Sequence, residues 1–159
     1  MTNPGAAFTP RHPDFEAAVR ESFGRQSFMR ALGVSITHLV PGEVHLTLPY
    51  SQSLCQQNGF LHAGAIASVA DSANGYAAFS LAEPGMDVLA VEFKINLLAP
   101  ARGERFVACG RVLRPGRTLT VCLAEVVAHL GPERTSVATM LSTIIVRSAA
   151  RPSPGNPRP

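Results

Sequence analysis

From Ala63 to Ala82 the chain reads AGAIASVADSANGYAAFSLA, twenty residues with eight Ala, two Gly and three Ser. The run is long enough to cross a bilayer at the α-helical rise, but Asp71, Asn74 and the three serines make insertion unfavourable. A helix buried inside a globular core is expected instead, ended by the Glu83-Pro84-Gly85 breaker. Asp71 is its only side chain charged at neutral pH.

Beyond Gly85 the hydrophobic period changes from helical to two. Leu89, Val91, Phe93, Ile95 and Leu97 alternate with Val88, Ala90, Glu92, Lys94 and Asn96, which predicts a strand with one buried face. Three further strands are expected over Glu104–Leu113, Thr118–Leu130 and Thr135–Arg147, turning at Arg114-Pro115-Gly116-Arg117 and at Gly131-Pro132. Upstream of the helix, Val34–Val40 and Glu43–Pro49 flank Pro41-Gly42, a turn dipeptide, and form a hairpin. Before that, Phe15, Val19 and Phe23, then Phe28, Met29 and Leu32 beyond Gly24, predict an interrupted amphipathic helix. Asp14 is its N-cap and Gly33 ends it. Helix, hairpin, long helix, then a meander of strands fits an α+β domain whose antiparallel sheet wraps one central helix.

A chain of 159 residues accommodates one such domain, assigned to 14–147. Seven of the thirteen prolines lie near the ends, so 1–13 is expected to be a flexible N-terminus and 148–159 a disordered tail. Hydrophobic residues make up 46% and charged residues only 16%, against a usual quarter, which suggests that part of the surface is hidden in an oligomer. The net charge of +3 comes from thirteen Arg and one Lys without a basic run, and aromatics are few. Nucleic-acid binding is therefore not expected. Three cysteines without ligand spacing predict neither a disulfide framework nor a zinc site, and no metal is expected. The N-terminus lacks a basic segment followed by an apolar run, so the expected location is the cytoplasm, with no membrane partner.

An isolated carboxylate in a helix of small residues costs several kcal/mol, on the order of the desolvation penalty, unless it is paired or faces solvent. Asp71 either faces solvent or caps something locally, or it serves as general base or nucleophile facing a cleft at a subunit interface. At the start of the helix, His62 is followed by two small residues, Ala63 and Gly64, leaving backbone N–H groups accessible to negative charge on an oxygen. His62 and Asp71 are nine residues apart, roughly 13–14 Å along a helix axis. They cannot serve the same atom within one subunit. If both act, one must come from a partner chain.

The segment Asn58-Gly59-Phe60-Leu61-His62-Ala63-Gly64-Ala65-Ile66-Ala67-Ser68-Val69-Ala70-Asp71, the strand ending in Ala99-Pro100-Ala101, and Gly110-Arg111-Val112 together resemble the hotdog-fold acyl-CoA thioesterases of the PaaI type. The resemblance covers roughly Gly33 to Val146. It implies a hotdog fold, metal-independent hydrolysis of an acyl-CoA to acid and coenzyme A, and no cofactor beyond the coenzyme A moiety of the substrate. Asp71 then matches the base or nucleophile, the Ala63 and Gly64 amides the oxyanion site, and His62 a positioning group. The resemblance also implies a site shared between subunits of a homodimer, often paired again into a tetramer.

Three positions depart from the family pattern. Ala63 replaces the first Gly of the usual His-Gly-Gly. The common Asn six residues before the histidine is Gln56 here, with Asn58 two residues later, and either amide could orient the substrate. A frequent Ser or Thr at the start of the next strand is Ala90. Arg114 and Arg117 are candidates for the phosphates of coenzyme A, with a solvated turn as the alternative. Tyr76 is read as core or as a wall of the acyl pocket. His38, His45 and His129 have no partner in ligand spacing and are read as structural, Cys109 and Cys122 as small core residues. Two other functions stay open: an acyl-CoA binding or sensing protein, and an enoyl-CoA hydratase, against which stands Tyr76 where that chemistry has a histidine five residues after the aspartate.

Overall fold

The computed structural model describes residues 8–149. The tail expected over 148–159 lies almost wholly outside them. Helices α1 (Phe15–Gly24) and α2 (Ser27–Ala31) lead into strands β1 (Ser35–Val40) and β2 (Glu43–Pro49), followed by the long helix α3 (Ala63–Phe79). Strands β3 (Met86–Leu97), β4 (Arg105–Arg114), β5 (Leu119–Leu130) and β6 (Glu133–Ser148) complete one antiparallel sheet in the order β1-β2-β4-β5-β6-β3. Six strands curve around one helix. Strands β1 and β3 are its two edges.

The sheet closes on α3 because each strand turns one set of alternate residues toward it. Val44, Leu46 and Leu48 from β2, Phe106 and Ala108 from β4, Ala124 and Val126 from β5, and Ala138 and Met140 from β6 are buried against Val69, Ala70 and Ala73. Small helix residues let the backbones approach closely. At Gly110 a methyl group would stand 2.4 Å from the backbone of Ala73, so only glycine fits where β4 crosses the helix. Gly42 takes a left-handed φ of +81° in the predicted hairpin turn. Phe8, at the start of the described chain, joins a second cluster with Leu81, Val112 and Ile144.

The strand after α3 differs from its predicted form in two ways. A bulge at Val91 shifts the register, pairing Ala90 with Ile144 and Glu92 with Thr143. Residues opposite one another share a face, so Val88 and Ala90 point to the helix side before the bulge, and Phe93, Ile95 and Leu97 after it. The simple alternation read across the bulge is therefore broken. Nor is the apolar face buried within the chain: Leu89, Val91, Phe93 and Leu97 are 46–56% exposed along this edge. Asp14 sits at the N-cap of α1 but its side chain makes no capping bond.

Candidate active site

The N-terminus of α3 is built by the loop before it. His62 is the N-cap, with φ −65° and ψ 138°, and its Nδ1 accepts the Gly64 N–H at 2.9 Å. That bond leaves Nε2 to carry the proton of a neutral imidazole. It also separates the two amides expected to act together. Gly64 N–H is already engaged, whereas the Ala63 N–H has no acceptor among the described residues. Ala63 lies in an apolar pocket of about 450 Å³ with Gln56, Phe60, Leu97, Leu98 and Pro100. Gln56 and Asn58 also part company. Gln56 lines the pocket and its Oε1 accepts the Asn58 N–H at 2.5 Å, while Asn58 is exposed at the loop tip. Arg102 reaches over the Phe60 ring, 5.1 Å from its centroid, and brings a guanidinium to the rim.

Asp71 stands two and a half turns further along, in a second cleft of about 540 Å³. Ser72, Gly75, Tyr76, Val88 and Ala90 share its walls. Asp71 Oδ1 is buried and accepts no hydrogen bond, and burial raises its carboxyl above the ordinary range. The local-cap reading fails on this point: a capping carboxylate would have a donor. Ala90, at the family's hydroxyl position, offers none. Tyr76 turns its hydroxyl away from the aspartate, accepting Gln26 Nε2 at 3.1 Å and lying 3.4 Å from Ser22 Oγ, so it ties α1 over this cleft. Its ring meets Phe23 and Phe79 edge-on.

A second buried group was missed by the sequence reading. Asn74, one turn after Asp71, donates from Nδ2 to Ser142 Oγ at 2.8 Å, while its Oδ1 has no partner. Among the described residues, Asp71 Oδ1 and Asn74 Oδ1 are the two buried side-chain oxygens in this condition. The signal was one amide among alanines. Arg114 and Arg117, at the β4–β5 turn, line neither pocket. Cys122 is buried and its thiol is pushed up to about 12, as read from its pattern. Cys109 is not core. It faces away from the helix between His45 and Glu125, where burial and the charges of Glu43 and Glu125 raise it to about 11.

The model of the thioesterase superfamily matches residues 58–133, a span that takes in both the His62 turn and Asp71. A thioesterase family protein from Silicibacter pomeroyi is 50% identical and superposes with a TM-score of 0.84, covering 85% of this chain and 99% of that one. The chain belongs to the thioesterase superfamily. A Saccharolobus solfataricus protein, SSO2140, whose name suggests an esterase, is 33% identical over 68% of this thioesterase and 77% of its own length. The E. coli PaaI protein of the phenylacetic acid degradation operon is 20% identical with a TM-score of 0.75, covering 86% and 94% of the two chains, a likeness of fold. This thioesterase thus has the hotdog fold expected, and it is a thioester hydrolase. Among the described residues no helix is long and apolar enough to cross a membrane.

Proposed function

We propose that this thioesterase hydrolyses an acyl-CoA at a site assembled from two chains, with Asp71 as general base and the Ala63 N–H as oxyanion donor. The observation that carries the reading is that Asp71 lines a cleft large enough for a substrate and that its buried Oδ1 accepts no hydrogen bond. A carboxylate without hydrogen bonds keeps its lone pairs for water, and a raised pKa makes it a better base. Asp71 takes a proton from water as the oxygen attacks the thioester carbon. The negative charge that develops on the carbonyl oxygen meets the unpaired amide of Ala63. Collapse of the tetrahedral species breaks the carbon–sulfur bond, and the proton held by Asp71 passes to the leaving thiolate. His62 fixes the turn that aims the Ala63 amide, and Gln56 orients the acyl group beside it. We assign the phosphate contact to Arg102 at the rim rather than to Arg114 or Arg117.

The two half-sites lie at opposite ends of β3. Ala90 is beside Asp71, and Leu97 to Pro100 are beside Ala63. Antiparallel pairing of this edge with the same edge of a second chain sets each Asp71 against the partner's helix start. It would also cover the apolar side chains left exposed there. Replacing Asp71 by Asn is expected to lower thiol release from a good acyl-CoA substrate by about 10²–10⁴-fold. Near wild-type turnover would overturn the assignment. Single-turnover hydrolysis in heavy-oxygen water leaves the Asp71 carboxylate unlabelled if it acts as base, and label found there would make it the nucleophile.

A further inference from the structure

On the opposite side of the molecule from α3, the β1–β2 hairpin brings together three groups that linear spacing keeps apart. A bulge at Thr37 shifts the register so that Ile36 pairs with Leu46 but His38 pairs with His45. Unshifted pairing would set His38 against Val44, on the buried face. The bulge moves it to the outer face, and Thr37 holds the kink by a 3.0 Å contact between its hydroxyl and that of Thr47. Glu43, two residues before His45 on the same strand, shares that face. Its Oε1 lies 2.7 Å from His45 Nε2 and 3.8 Å from His38 Nε2, and the two imidazole centroids are 4.5 Å apart.

We infer that His38, Glu43 and His45 form a binding site for a divalent transition ion of the zinc class, which ties the edge strand β1 to β2. Two imidazoles and one carboxylate are a donor set that favours zinc, nickel or copper over magnesium or calcium. Bond lengths near 2.1 Å place tetrahedral donors about 3.4 Å apart, between the two nitrogen–oxygen distances observed here. All three donor atoms fall within 4.8 Å of one another, so small side-chain rotations complete the set and leave one position for water. Solvent reaches the cluster, since His38 is exposed and its two companions are half-buried. Arg111 lies opposite Glu43 on β4 and opposes a cation, while Glu125 on β5 and the thiol of Cys109 share the same face. The site is independent of the hydrolytic reading, because Asp71 lies beside β3 at the other edge of the sheet.

The test is calorimetric titration of the full chain, first stripped with chelator, with zinc as the probe. One ion per chain is expected, with Kd below about 10 µM, weakening at least tenfold as pH falls below the imidazole range. The double variant H38A/H45A and the single variant E43Q should each weaken uptake at least tenfold, whereas H129A should leave it unchanged. Zinc should raise the Tm of the wild type and not that of the double variant, whose own Tm without metal reports that it folds. Cobalt in place of zinc should show no thiolate charge-transfer band. Failure to take up one ion per chain, uptake unchanged in H38A/H45A, or a thiolate band would each overturn the proposal.

Discussion

A carboxylate oxygen that is buried and bonded to nothing is costly to keep charged, and Asp71 has one. Its pKa is raised by desolvation, so between the ordinary carboxylate value and the raised one the folded chain holds more protons than the unfolded chain. Stability linked to this group therefore falls as pH rises through that window. Two outcomes follow from the one shift. The acid limb of kcat/KM is expected to bend at a pH above the ordinary 3.8 of an aspartate, because the base must be ionised. D71N, which mimics the protonated form, is expected to match the wild-type Tm at low pH, to exceed it as pH rises through that window and to keep a constant lead above it, while remaining inactive. A Tm below wild type at neutral pH would make the aspartate a structural group. Asp71 was legible in the sequence because charge is conspicuous among alanines. Asn74 was less so: one uncharged amide among alanines stands out, but it gains a role only once Ser142 is found beside it and its Oδ1 without a partner.

The start of α3 separates two amides that look equivalent in sequence. Ala63 occupies the first helical position, where proline is well tolerated, since its missing N–H would have no helical partner and its fixed φ suits the helix. The residue before it, His62, already has the extended conformation that precedes proline. A63P therefore removes the amide hydrogen, puts a ring methylene in its place, and leaves the helix start intact. It is expected to lower kcat by about 10²–10³-fold, the usual loss for one oxyanion donor, with Tm within a few degrees of wild type. Unchanged kcat would transfer the oxyanion role away from this amide. Elements of this length were readable because their hydrophobic periods and breakers agree: the hairpin and the four later strands lie where those signals put them, and α3 starts at Ala63 as expected but ends at Phe79, short of the Glu83-Pro84-Gly85 breaker. What periodicity cannot carry is a bulge. One extra residue at Val91 reverses the inward set of β3, and one at Thr37 aligns His38 with His45. Both change which side chains meet while leaving the residue types untouched.

At the scale of the whole molecule, the low charge content and the exposed apolar edge of β3 point the same way. The edge offers unpaired backbone groups and large apolar side chains, an arrangement proteins seldom leave open to water. If each active site combines Asp71 of one chain with Ala63 of another, two inactive variants must rescue each other. In a dimer of one D71N chain and one A63P chain, both lesions fall in the same site and the second site keeps both wild-type groups. Random reassortment makes half the dimers mixed, each with one intact site of two, so about a quarter of wild-type activity should return. The two variants, unfolded together and refolded, or expressed together with different tags, provide the measurement. Each variant refolded alone gives the baseline. A site contained within one chain would return no activity from the mixture, because every chain would carry its own lesion, and recovery near a quarter requires that the catalytic carboxylate and the oxyanion amide come from different subunits.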